Sequence, residues 1–147
     1  MTNLAANPSF IAYAVTILIL SLDMLFLWAY SGAVRGKAKA TPNQEDARGA
    51  NKLIEIEPPE VARVLRAHAN AMANIVPFAI LGLVYVLAGA PVMTAAIVFG
   101  VFAFARIAHA FAYLGGKQPW RSISFGVGAL ATLVLMGLIV RTLVAAA

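Results

Sequence analysis

The stretch that decides the fold is residues 63–87, which read RVLRAHANAMANIVPFAILGLVYVL. Its first half carries two arginines, a histidine and two asparagines, whereas its second half is apolar apart from one tyrosine. No turn signal separates the halves. A helix that changes from polar to apolar in this way is expected to begin near water and continue into a membrane.

The composition of the whole chain also predicts a membrane protein. Of its 147 residues, 62% are hydrophobic and only 12% are charged, a more apolar balance than that of soluble domains. One membrane span needs about 20 apolar residues. A chain of this length therefore holds four spans and a loop, and we predict a single transmembrane domain over residues 1–147.

Apolar runs and turn signals place the helices along the chain. Prolines tolerated in a first helical turn begin the second and third helices, and a Gly-Gly pair ends the third. The predicted helices cover about residues 9–34, 59–88, 91–114 and 119–145, and a polar loop covers about residues 35–58. The predicted fold class is an all-α integral membrane protein, an up-and-down bundle of four transmembrane helices.

The positive charges indicate orientation in the membrane. The net charge is +5, and seven of the eleven lysines and arginines lie between Arg35 and Arg66. This clustering fits membrane topology and an anionic lipid or ligand, so no nucleic-acid partner is expected. The positive-inside rule predicts a multi-pass protein whose polar loop is cytoplasmic and whose termini both lie on the opposite side.

A narrow polar stripe runs along the first half of the second helix. At about 100° per residue, Arg63, Arg66, Asn70 and Asn74 fall on one side, and His68 lies off it by more than a third of a turn. Such a stripe is costly against lipid, so it is expected to face the bundle interior or another subunit. The alternative is an interface helix whose arginines reach phospholipid headgroups.

The third helix carries a similar polar face. Arg106, His109 and Tyr113 are separated by three and four residues and therefore share one side. Arg106 is deep enough in an apolar run to require a partner. The two candidates are Asp23, the one acid within a predicted span, and the carboxylate of a ligand. His109 is equally compatible with a hydrogen-bonded core histidine.

The start of the fourth helix is suited to an anion. Arg121 and Ser122 lie in its first turn, where free N–H groups and the helix dipole favour negative charge. The alternative is an interface arginine followed by a capping serine. The chain has no cysteine and two histidines, so no metal site is expected, and any thiol must come from a bound small molecule.

Several of these segments together resemble one family. Residues 61–70 followed by 75–78, and residues 106–115 followed by 119–122, resemble the helices of the MAPEG family, the membrane-associated proteins in eicosanoid and glutathione metabolism. Residues 43–47 of the loop are similar to it as well. The likeness is to the microsomal glutathione transferase and prostaglandin E synthase branch, and it covers nearly the whole chain.

This resemblance implies a homotrimer that binds glutathione as co-substrate between neighbouring subunits and takes a lipophilic small-molecule substrate from the bilayer. The implied activity is glutathione transfer to lipophilic electrophiles or reduction of lipophilic peroxides. Arg121 would hold the glutathione thiolate, and Ser122 would donate a hydrogen bond to its sulfur. The remaining residues implied to bind glutathione are Arg35, Asp46, Arg66, His68, Asn70, Arg106 and Tyr113.

Three positions depart from the family pattern and define the alternatives. Ala62 and Ala73 stand where the family usually has acids, and Phe125 stands where the prostaglandin synthases have a tyrosine. The alanines favour a non-catalytic lipid-binding or scaffold trimer as the alternative function. A third hypothesis, a small transporter, would use Asp23 to couple protons.

Overall fold

The computed structural model describes residues 4–146, which form four long helices. Helix α1 is Pro8–Ala38, α2 is Pro59–Leu87, α3 is Val92–Leu114 and α4 is Trp120–Ala146. Each is long and apolar enough to cross a membrane. The prediction of an all-α integral membrane protein with four transmembrane helices is confirmed.

Local capping explains where α1 begins and ends. Asn7 caps its start, because the Asn7 Oδ1 accepts a hydrogen bond of 2.9 Å from the backbone N–H of Ser9. Lys39, in the left-handed conformation with φ of 51°, ends it. The helix extends to Ala38 rather than to about residue 34, and its last turn carries Arg35 and Lys37, which suit the negative end of the helix dipole.

The polar loop contains short structure that the sequence pattern did not indicate. Strands β1, Ala40–Thr41, and β2, Lys52–Leu53, pair in parallel, and a single 3₁₀ turn covers Gln44–Asp46 between them. An ion pair between Arg35 and Glu57 joins the end of α1 to the segment that enters α2. The loop is therefore folded against the end of the bundle.

Aromatic side chains fill the centre of the bundle. The rings of Phe78 in α2 and Phe102 in α3 stack with 3.6 Å between centroids, and Phe99 packs edge-on against Phe78. Helix α1 packs on α2 and α3, and α4 packs on α3 and α2. Large apolar side chains on the outer surface, such as Leu133 at 63% exposure, provide the apolar boundary that a bilayer requires.

A close contact between helices at Gly82 predicts a stability effect. A Cβ at Gly82 would stand 3.1 Å from the Tyr13 ring and 3.3 Å from the Phe99 ring, whereas a Cβ at Gly100 would meet nothing within 4 Å. Gly82→Val is therefore expected to be less stable than Gly100→Val by about 1–3 kcal/mol, the cost of overpacking a core. Thermal unfolding of the two variants in one detergent measures the difference. Equal midpoints would contradict this packing.

Candidate active site

Arg106 of α3 is buried inside the bundle, with 2% of its surface exposed. Its Nη2 donates a hydrogen bond of 2.8 Å to the Oδ1 of Asn70 on α2. The Nε and Nη1 atoms are also buried, and neither has a hydrogen-bond partner among residues 4–146. A buried guanidinium with two free donors is costly unless another group completes it. Arg106 is therefore placed to bind an anion.

Gly128 of α4 provides the space for this side chain. A Cβ at Gly128 would stand 3.5 Å from the Cδ of Arg106 and 3.8 Å from the Cβ of Ala105. The Arg106 side chain thus packs against bare backbone of α4, as small residues permit between membrane helices.

Asp23, one of the two partners considered for Arg106, does not form an ion pair with it. The two side chains interact electrostatically, but no nitrogen–oxygen distance between them is within the 4.0 Å of an ion pair. The Oδ2 of Asp23 is buried and has no hydrogen-bond partner within the described chain. The free N–H groups of Arg106 therefore stay available to a ligand.

His109 connects α3 to the first turn of α4. Its Nδ1 lies 2.9 Å from the carbonyl oxygen of Arg121. Because a carbonyl oxygen only accepts, Nδ1 carries the hydrogen and Nε2 carries a lone pair. Nε2 is buried without a partner in residues 4–146. His109 thus fixes the backbone that carries Arg121, a role that its spacing from Arg106 and Tyr113 did not reveal.

The Arg121 guanidinium is held from two sides. Its central carbon lies 5.0 Å from the centroid of the Tyr113 ring, a cation–π contact. In the amide orientation that satisfies both ends of Gln118, the Gln118 oxygen accepts from Arg121 Nε at 3.2 Å and Nη2 at 2.8 Å. The Gln118 nitrogen then donates to the Ser122 Oγ at 3.0 Å. Gln118, which sequence analysis missed, therefore links Arg121 to Ser122.

The polar stripe of α2 lies beside the buried face of that helix rather than on it. Asn70 is half-buried and reaches Arg106, whereas Arg63 and Arg66 are exposed. The guanidinium of Arg63 lies against Gly116 in the turn between α3 and α4. Arg66 and the half-buried His68 make no hydrogen bond or ion pair with any residue of the described chain.

The two loop-side candidates lie outside this cluster. Arg35 is engaged in its ion pair with Glu57, and Asp46 is exposed and accepts a hydrogen bond of 3.1 Å from the side chain of Asn43. The described chain thus brings together Asn70, Arg106, Tyr113, Arg121 and Ser122 around α3, either directly or through His109 and Gln118. Within the described chain, Arg35, Asp46, Arg66 and His68 make no hydrogen bond or ion pair with these residues.

An apolar groove opens next to this cluster. It lies between α3 and α4 and has a volume of about 280 Å³. Its lining residues are Phe104, Ala105, Ala108, Trp120, Ile123, Ser124 and Val127. At about 100° per residue, Trp120, Ile123 and Ser124 share one side of α4, whereas Arg121 and Ser122 lie on other sides of the helix. Ser124 connects the groove to the cluster, because its Oγ donates a hydrogen bond of 3.2 Å to the Arg121 carbonyl oxygen.

Comparison with known proteins gives concordant matches. The family described as "MAPEG family" matches residues 11–141. The chain is 38% identical to microsomal glutathione S-transferase 1 of Rattus norvegicus over 97% of this chain and 96% of that protein. It is 36% identical to prostaglandin E synthase of Homo sapiens over 85% of this chain and 84% of that protein.

The hydrogen bond between Asn70 and Arg106 can be tested by a matched pair of variants. Asn70→Ala leaves Nη2 of a buried cation unpaired and is expected to lower the free energy of unfolding by about 2 kcal/mol. The control is Asn74→Ala, which removes only a hydrogen bond of 2.8 Å to the backbone oxygen of Asn70. Its expected effect is below about 1 kcal/mol. Equal effects in denaturant unfolding would contradict the assignment.

Proposed function

We propose that this chain, which belongs to the MAPEG family, is a membrane-bound glutathione transferase that acts on lipophilic electrophiles. The family membership confirms the resemblance of its helical segments. The observation that carries the proposal is the buried Arg106, whose Nε and Nη1 have no partner in residues 4–146. Glutathione is an anionic tripeptide, and guanidinium groups bind carboxylates in a fork. A glutathione carboxylate would complete Arg106 where Asp23 does not.

Arg121 and Ser122 are the residues proposed to activate the thiol. With Nε and Nη2 of Arg121 directed to Gln118, the Nη1 group stays free to face a sulfur. Because Gln118 donates to the Ser122 Oγ, the Ser122 hydroxyl hydrogen is likewise free to donate. A cation and a hydrogen-bond donor stabilise a thiolate and lower the thiol pKa, which raises the nucleophilic fraction.

The proposed reaction needs no nucleophile from the protein, which has no cysteine. The glutathione thiolate attacks an electrophilic carbon, a carbon–sulfur bond forms, the leaving group departs with its electron pair, and the thiol proton passes to solvent. With a hydroperoxide, the thiolate would attack the terminal oxygen, the oxygen–oxygen bond would break, and the other oxygen would take a proton and leave as an alcohol. The resulting glutathione sulfenic acid would react with a second glutathione thiol to give the disulfide and water. The apolar groove is the candidate site for the lipophilic partner, and holding both reactants on one protein increases the rate through proximity.

We further propose that the site is completed by a second subunit of a homotrimer. Arg66 lies on the polar stripe of α2, and His68 lies on another side of the same helix. Neither has a hydrogen-bond or ion-pair partner in the described chain. Polar groups at this depth are retained when protein covers them. A neighbouring subunit would supply that cover, and the glutathione site, with Arg35 and Asp46 near it, would lie between the two on the cytoplasmic side.

The thiolate assignment predicts a specific loss in one variant. Arg121→Ala is expected to reduce kcat/KM for conjugation of a lipophilic aryl halide by about 100-fold, because one oriented donor to a developing charge is lost. The ultraviolet absorbance of the bound thiolate should fall in the same variant. The control is Arg48→Ala, which removes an equal charge from the exposed loop and should retain activity.

Failure to bind glutathione at millimolar concentration would overturn this proposal. Copurifying lipid without a thiolate signal would support the non-catalytic alternative instead.

The shared site predicts complementation between two inactive variants. If Arg66 of one subunit and Arg121 of its neighbour form one site, co-expressed Arg66→Ala and Arg121→Ala chains should recover about one quarter of wild-type activity, since random assembly restores that share of interfaces. Native mass spectrometry should find three chains in each particle. Activity no higher than that of the separately expressed variants would place both arginines in the site of one chain.

A further inference from the structure

A cavity lies at the end of the bundle opposite the candidate active site. It has a volume of about 370 Å³ and lies between the ends of α2 and α4 and the start of α3. Tyr85 at this cavity follows Asn70 by fifteen residues along α2, a distance of about 22 Å at the rise of an α-helix. The cavity is therefore separate from the candidate active site and lies near the other membrane boundary.

The most deeply buried residue of this cavity has an unused hydrogen-bonding group. Tyr85 lines the cavity and has 1% of its surface exposed, yet its hydroxyl makes no hydrogen bond with any residue of the described chain. The guanidinium of Arg141 on α4 also lines the cavity, close enough to interact electrostatically with Tyr85. Tyr85 therefore keeps a hydroxyl donor for a ligand in the cavity that it lines.

The start of α3 adds further donors. Pro91 is its N-cap and supplies no side-chain hydrogen bond, and the first turn contains no acid. The first-turn N–H groups at residues 92–94 have no intrahelical carbonyl to pair with, so this end of α3 carries partial positive charge. No acidic residue lines the cavity within the described chain. The start of α3, the Arg141 guanidinium and the Tyr85 hydroxyl together favour one kind of ligand, a phosphate group.

The surroundings of the cavity indicate that the ligand also has an apolar part. Met93 at the start of α3 is 72% exposed and Val144 near the end of α4 is 71% exposed, so apolar surface borders the polar cavity. An arginine at the end of a span reaches toward the headgroup layer. A free inorganic phosphate would use the donors but would not cover the apolar border.

We propose that this cavity binds the phosphate headgroup of an anionic phospholipid in the leaflet opposite the candidate active site. Arg141 would neutralise the phosphate, Tyr85 would donate to it from the buried side, and the start of α3 would contribute N–H groups. The acyl chains would lie along the exposed residues of α4. The cavity volume is within the range of small-molecule sites.

The test uses the full chain in detergent, with phosphatidylglycerol and phosphatidylcholine of identical acyl chains as probes. Native mass spectrometry and thermal unfolding should both show preferential binding of phosphatidylglycerol. Arg141→Gln is expected to weaken that binding by at least tenfold, and Tyr85→Phe by about tenfold or more, the usual value of a hydrogen bond to a charged group. The control is Arg48→Gln, which changes the net charge equally and should bind as the wild type does.

Tyr85→Phe keeps the proposal testable if Arg141→Gln fails to fold, because it removes one oxygen from a tyrosine that bonds to no other described residue. Equal binding of the two lipids, or unchanged phosphatidylglycerol binding in Tyr85→Phe and any folded Arg141→Gln, would overturn the proposal. An equal, Arg141-dependent stabilisation by inorganic phosphate alone would overturn the lipid assignment. No response to phosphate, together with loss of lipid binding in the variants, supports it.

Discussion

This end of the structure depends on one constraint, the burial of a guanidinium inside a transmembrane bundle. Among residues 4–146, that guanidinium has one hydrogen-bond partner, which is neutral. Arg106 sits at 2% exposure and is paired with the amide oxygen of Asn70. Removing such a cation from water costs several kcal/mol even after relaxation. The surrounding chain reduces that cost through Asn70 and through the space at Gly128, but it leaves two donors free. This incomplete pairing is the reason why we propose a ligand, and not a structural ion pair, for Arg106.

The rest of the site is formed by α3, the first turn of α4 and the turn that connects these two helices. The Nδ1–H of His109, three residues after Arg106 on α3, donates a hydrogen bond to the Arg121 carbonyl oxygen and so orients the first turn of α4. In that turn the Arg121 guanidinium lies over the Tyr113 ring. Gln118 hydrogen-bonds to both Arg121 and Ser122 and so links the two side chains. Each of these contacts joins α3 to α4 or to the turn between them. The site is therefore as rigid as that helix pair.

The two ends of the bundle differ in chemistry for a physical reason. At one end, Arg106 is buried and Arg121 is held by Tyr113 and Gln118, an arrangement suited to a small anionic co-substrate that must be oriented. At the other end, Tyr85 and Arg141 border exposed apolar surface, an arrangement suited to an amphiphile held at the membrane boundary. The apolar outer surface between them leaves both ends accessible to molecules dissolved in the bilayer.

The sequence by itself determined the number and type of the helices, because apolar length and proline or glycine boundaries act locally. It also placed Arg106, His109 and Tyr113 on one face, since helical spacing alone decides that. It did not indicate the parallel pairing of Ala40–Thr41 with Lys52–Leu53, which depends on segments that meet only after α1 and α2 pack.

Only the tertiary structure showed that Asp23 does not form an ion pair with Arg106, because that depends on a distance between helices. It alone revealed that His109 holds the Arg121 carbonyl and that Gln118 joins Arg121 to Ser122. Spacing along a chain specifies which residues share a helix face, but the rotation of one helix against another specifies which atoms meet. That rotation is fixed by packing of the whole bundle.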